Sequence, residues 1–87
     1  MYLHLGSDTA VYKAEVIGVF DLDNSSQSHL TRAYLAAAEK NGRVYSAAGD
    51  ELPKSFVVCA GTHGQSVWLS QLNSSTLLRR SEQMGIE

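Results

Sequence analysis

Short apolar runs separated by polar, turn-forming clusters organise this chain. Tyr2-Leu3-His4-Leu5 predicts a short strand over residues 2–5, ended by Gly6-Ser7-Asp8-Thr9, a composition that favours turns. Residues 11–13 and 16–20 read as extended. Val16-Ile17-Gly18-Val19-Phe20 is a compact run with β-branched residues, the pattern of a well-buried strand. Gly18 inside it predicts a bulge or a close backbone neighbour. Residues 21–26 form a loop rich in capping side chains, and the spacing then predicts a helix over 28–41. Leu30, Tyr34, Ala37 and Ala38 share one apolar face of that helix. Ala36-Ala37-Ala38 takes little room, and Gly42 is placed to end the helix in a left-handed turn.

The second half repeats the alternation of strand and helix. Residues 43–47 predict a strand and 48–53 a loop, with Pro53 at the entry of the next strand because it has no N–H to give to a ladder. Residues 55–59 predict a second buried strand, and residues 66–70 pair back with it as a hairpin across the turn at 60–65. Asn73-Ser74-Ser75 is a capping sequence for a final short helix over 76–84. The order predicts an α+β fold: a small antiparallel β-sheet domain with one central helix and a short C-terminal helix, as a single domain over 1–87. Val16, Val19, Phe20, Leu30, Phe56, Val58 and Leu69 are the expected core, with Trp68 partly buried.

Size and charge narrow the function. A domain of 87 residues buries only roughly 60–65% of the surface its unfolded chain exposes, which favours association with further copies. The lone Cys59 excludes an internal disulfide, the first residues do not read as a signal peptide, and no apolar stretch is long enough to span a membrane. A cytoplasmic protein with no membrane partner is expected. The net charge is −2, and residues 1–52 hold four basic against seven acidic side chains. From Leu52 to Ser81 there is no acidic residue, while Lys54, Arg79 and Arg80 lie there. That stretch offers a local positive surface on an acidic chain, or simply solvated charge.

No catalytic set emerges. Cys59 sits in an apolar strand, where a cysteine behaves as a buried hydrophobe; its rival role is as a nucleophile paired with His63. His4, His29, His63 and Cys59 lack metal-ligand spacing, so no metal site is read. Asp21, Asp23 and Asn24 echo a calcium loop but lack its central glycine and terminal glutamate. Gly61-Thr62-His63-Gly64 lacks the lysine and hydroxyl of a phosphate loop and reads as a hairpin turn. The expectation is therefore a protein that is not an enzyme, with no cofactor and no small-molecule substrate.

Four segments in order carry a family resemblance: Met1-Tyr2-Leu3-His4-Leu5-Gly6, Val16-Ile17-Gly18-Val19-Phe20-Asp21, Leu52-Pro53-Lys54-Ser55-Phe56-Val57-Val58 and Ser74-Ser75-Thr76-Leu77-Leu78-Arg79-Arg80. Together they resemble the extracellular matrix regulatory proteins of Firmicutes, specifically the RemB-type branch. The resemblance implies a bacterial regulator of matrix and biofilm genes. It also implies a homo-oligomer, ring-shaped in the sister RemA-type branch, with duplex DNA as partner lying against basic residues repeated around the ring. On this chain the expected DNA contacts are Lys54, Arg79, Arg80 and Lys13. Where the sister branch carries arginines, this chain has Glu15 and Asp50-Glu51, and carboxylates there repel phosphates. The alternative is an oligomeric protein-interaction scaffold that has lost DNA binding.

Overall fold

The computed structural model describes residues 1–6, 8–22, 29–62 and 64–85, with side chains through Glu82. Ser7, the capping loop at 23–28, the predicted helix start at Ser28 and His63 lie outside the described residues. The elements in chain order are β1 (Tyr2–His4), β2 (Ala10–Tyr12), a 3-10 turn (Lys13–Glu15), β3 (Val16–Asp21), α1 (His29–Lys40), β4 (Val44–Ser46), β5 (Ser55–Gly61), β6 (Gly64–Ser70) and α2 (Ser74–Gly85). The α+β class follows directly, with a two-stranded ribbon β1–β2 and a four-stranded sheet ordered β3-β5-β6-β4.

Local chemistry ends the elements where the sequence predicts. Gly42 takes φ +70 beyond α1, and the Arg43 N–H reaches back to the Ala38 carbonyl at 2.9 Å, a left-handed glycine cap. Asn73 caps α2: its Oδ1 accepts from the Thr76 N–H at 2.9 Å. Pro53 stands just before β5, and pairing starts at once: the Lys54 N–H donates to the Ser70 carbonyl at 2.8 Å. Gly18 fulfils the bulge expectation, since the ladder slips between Val16 and Gly18; its close neighbour is a side chain and not backbone, for a Cβ on Gly18 would meet the Phe20 ring at 2.9 Å.

The sheet is mixed where an antiparallel one was expected. β3 with β5 and β5 with β6 are antiparallel, but β4 runs parallel to β6, with Val44 opposite Val67. The loop of residues 47–54 is long enough to step over one strand, so the β5–β6 hairpin folds back into the space between β4 and β5. α1 acts as a crossover from β3 at one edge to β4 at the other. The central place goes to the longer, better buried β6, and the three-residue β4 takes the edge.

β5 reads as continuously apolar because both its faces are covered. On one face Val57 and Cys59 pack with Leu3, Leu5 and Val11 of the ribbon region and Leu77 of α2. On the other, Phe56, Val58 and Val67 meet Leu35 and Ala38 of α1. Two expected core residues are corrected here: Leu30 is 80% and Phe20 41% exposed. α1 carries two apolar stripes and turns the one with Leu35 and Ala38 toward the sheet, which leaves Leu30 and Tyr34 on its flank. Val16, Val19, Leu69 and Trp68 are half-buried, while Phe56 and Val58 are buried as expected. Leu3, Leu5, Val11 and Leu77 complete a core the strand pattern did not reveal.

Candidate functional site

The four cations read from the sequence are spread along the molecule. Lys54 is exposed, and its backbone is pinned on both sides: its N–H donates to Ser70 O, and its carbonyl accepts from the Leu22 N–H at 3.0 Å. Ser70 is fully buried, and its Oγ donates to the Leu5 carbonyl at 2.6 Å. Lys54 is thereby tied, through Ser70, to the end of β1. Arg79 and Arg80 are exposed on α2, on the turn after the buried Leu77. The Arg80 guanidinium reaches the His4 carbonyl at 3.4 Å. Lys13 opens the 3-10 turn, half-buried, and its N–H donates to the Met1 carbonyl at 3.0 Å.

His4 in β1 and its flanking residues Leu5 and Met1 are therefore the backbone points to which the Arg80 guanidinium directly, Lys13 by its own N–H and Lys54 by way of Ser70 are connected. Four residues of extended chain span about 13 Å, so these backbone attachment points are spread out and not clustered. The sheet register agrees: Lys54 precedes the Ser55–Asp21 pair, while Lys13 lies beyond the Val16–Cys59 pair at the opposite end. One subunit brings Arg80 against the ribbon and leaves Lys13 apart from Lys54.

The acidic residues sit among these groups. The Glu15 carboxylate lies over Gly61, where an added Cβ would be 2.9 Å from Oε2. Glu15 also borders a polar depression of 440 Å³ shared with Arg43, Gly64 and Ser66. Asp50 and Glu51 are exposed in the loop that leads to Lys54, beside a depression they share with Asp8 and Gln71. These carboxylates offset part of the positive potential of the cations.

The thiol has no activated surroundings among the described residues. Cys59 is 3% exposed, and burial first, then the charge of Glu15, pushes its pKa up to about 11. A nucleophilic cysteine needs the opposite shift. No group of three or more His, Cys, Asp or Glu side chains among the described residues is arranged to hold a metal ion. No helix among them is long and apolar enough to cross a membrane.

Sequence reasoning missed two features. Arg43 donates from Nη1 to the Gln65 carbonyl at 3.1 Å, and the Tyr34 hydroxyl donates to Gln65 Oε1 at 3.0 Å. Tyr34 signalled a core position by its spacing, but it is a polar clasp at the side of α1. The second is an open apolar groove of 280 Å³ lined by Phe20, Leu30, Thr31, Tyr34, Phe56 and Val58. Its signal was present in the doubled apolar stripe of α1.

No protein-family profile matches the chain. It is 36% identical over 84 residues to extracellular matrix regulatory protein B of Bacillus subtilis (strain 168), an alignment covering 97% of this chain and 94% of that protein.

Proposed function

The chain belongs to the extracellular matrix regulatory protein family, and from that premise we propose that it is a non-catalytic, cytoplasmic bacterial regulator of matrix genes that works as a homo-oligomer on duplex DNA. The observation that carries this reading is a likeness that runs through nearly the whole chain, to a relative named as a regulatory protein. The positive contacts are Lys54, Arg79, Arg80 and Lys13. Three of the four are exposed, and the Arg80 guanidinium and the backbones of Lys13 and, through Ser70, Lys54 connect to residues 1–5. A set of single charges grips DNA weakly on one subunit. Repeated by symmetry, it gains through multivalency, and every phosphate neutralised releases counterions.

A second reading keeps the assembly and drops the DNA. Glu15, Asp50 and Glu51 and a net charge of −2 support a protein-interaction scaffold. One titration separates the two. Binding to duplex DNA is measured at low and moderate salt for the native chain and for the combined Lys54→Glu, Arg79→Glu, Arg80→Glu variant. Salt-sensitive binding, abolished in the variant while its assembly state is unchanged, supports the DNA reading. No binding at low salt leaves the scaffold.

A further inference from the structure

The β5–β6 ladder ends on Gly61 opposite Gly64, and at each glycine a charged group takes the space a side chain would fill. The Glu15 carboxylate lies over Gly61, 2.9 Å from where a Cβ would stand. Its charge also reaches the Cys59 thiol, two residues earlier on β5. The Arg43 guanidinium lies over Gly64, whose φ of +101 is itself a glycine conformation. The two groups come from opposite edges of the sheet. Glu15 ends the 3-10 turn before β3, Arg43 precedes β4, and the strand order is β3-β5-β6-β4. Each side chain thus leans inward over the neighbouring central strand.

The two charges face each other without meeting. No ion pair joins Glu15 to Arg43 among the described residues, although adjacent strands stand only about 4.8 Å apart. Arg43 is held instead by the bond from its Nη1 to the Gln65 carbonyl, and among the described residues its other N–H donors stay unspent. Carboxylate and guanidinium both border the depression of 440 Å³. So does Tyr45, whose ring stacks on Trp68 at 4.7 Å and remains 46% exposed. A lone anion entering this depression is repelled by Glu15, and a lone cation by Arg43. A molecule that carries both charges satisfies both ends at once, and an apolar part of it gains the Tyr45 ring.

We propose that the depression is an effector site for a free α-amino acid with an aromatic or large apolar side chain. The ligand carboxylate meets the Arg43 guanidinium, its ammonium meets the Glu15 carboxylate, and its side chain rests on Tyr45. The planar fork of an arginine matches a carboxylate. The span fits as well. Opposed positions on paired strands stand about 4.5–5.5 Å apart, which sets the charged ends roughly 5–10 Å from each other. An amino acid held at each end by a charge-assisted hydrogen bond of about 2.8 Å bridges a gap of that size. The site goes beyond the regulatory reading and stands whether or not the chain binds DNA.

Titration of the full chain followed by heteronuclear NMR tests the site. The probes are L-phenylalanine, phenylethylamine, which lacks the carboxylate, and phenylpropionate, which lacks the ammonium. Phenylalanine should shift the amides of Gly61 and Gly64 with a Kd of about 1 mM or tighter, and each analogue should bind roughly tenfold more weakly or worse. Glu15→Gln and Arg43→Gln should each weaken phenylalanine binding roughly tenfold. Both side chains are exposed, so the far-ultraviolet circular dichroism of these variants should match the native chain. Gly61→Ala keeps every charge but pushes the Glu15 carboxylate aside, and it should weaken binding too. A native chain that shows no saturable shifts at millimolar phenylalanine overturns the proposal. So does an analogue that binds as well as phenylalanine, or binding that neither glutamine variant changes.

Discussion

The Phe20 ring stacks on the Phe56 ring with centroids 5.1 Å apart and planes 20° apart, and it does so over Gly18, where a Cβ would meet the Phe20 ring at 2.9 Å. The missing side chain at Gly18 therefore allows the stacking. Gly18→Ala should push the Phe20 ring off Phe56 and cost about 0.5–1.5 kcal/mol, the range of an aromatic pair beyond its buried area. The same substitution on a Phe20→Leu background should cost less, because the clashing ring is gone. Equal costs in chemical denaturation of both backgrounds would show that Gly18 serves the bulge and not the ring. Phe56→Ala is the larger loss: the side chain is 2% exposed, and truncation there should cost about 3–5 kcal/mol.

Ser70 joins three parts of the fold. Its Oγ donates to the Leu5 carbonyl at 2.6 Å and accepts from the Leu72 N–H at 3.1 Å. Ser55 Oγ holds the other side of the same residue, donating to the Leu72 carbonyl at 2.7 Å. Both serines are fully buried. Ser70→Ala strands an acceptor and a donor and should cost about 1–3 kcal/mol. Ser55→Ala should cost a similar amount, and the double variant less than the sum, since both fix the entry to α2 through Leu72. Strict additivity in denaturant midpoints would separate the two tethers.

The local grammar of the chain was legible and its long-range pairing was not. The strands, both helices and the caps at Gly42 and Asn73 follow from turn chemistry within a few residues. The parallel β4–β6 pair depends on where the hairpin folds back, and no residue of the loop at 47–54 encodes that choice locally. α1 was ambiguous because Leu30 and Tyr34 make as good an apolar stripe as Leu35 and Ala38; the sheet chose the second. Leu3 and Val11 are buried because they face each other across the ribbon and rest on β5, a relation that strands of three residues are too short to announce. The cations were readable as residue types. Their connection to the first strand region was not, since it passes through the Ser70–Leu5 and Arg80–His4 bonds, which join residues 65 and 76 positions apart.

Cys59 sets a pH dependence of stability. Its thiol pKa is raised from 9.0 to about 11 by burial and by the charge of Glu15. The folded chain holds that proton more tightly than the unfolded chain does. The stabilisation is thus fully present below pH 9 and is lost as pH rises toward 11. The denaturation midpoint should fall over that window in the native chain and fall less in Cys59→Ser. At neutral pH the thiol should react with DTNB far more slowly than free cysteine. Rapid labelling of the folded protein would contradict the burial and reopen the pairing with His63.

The cations make distinct predictions residue by residue. Arg79 is exposed, and no contact restrains its side chain in the bonds described above, whereas Arg80 is held at the His4 carbonyl. Restraint lowers the entropy lost when a guanidinium meets a phosphate, so Arg80→Ala should weaken DNA binding more than Arg79→Ala. Lys54 stands on a backbone pinned at Ser70 and Leu22 but follows Asp50 and Glu51. Asp50→Asn with Glu51→Gln should therefore strengthen binding, and Glu15→Gln should do the same near Lys13. Fluorescence anisotropy on labelled duplexes at several salt concentrations reads all of these. Each lost phosphate contact lowers the slope of log K against log salt by about one. The effect should be uniform across duplex sequences, because phosphate contacts position without reading bases. If Arg80→Ala and Lys54→Ala leave that slope unchanged while binding persists, DNA lies on another face. Arg43, beside Gln65 and the depression bordered by Glu15, is then the next cation to remove.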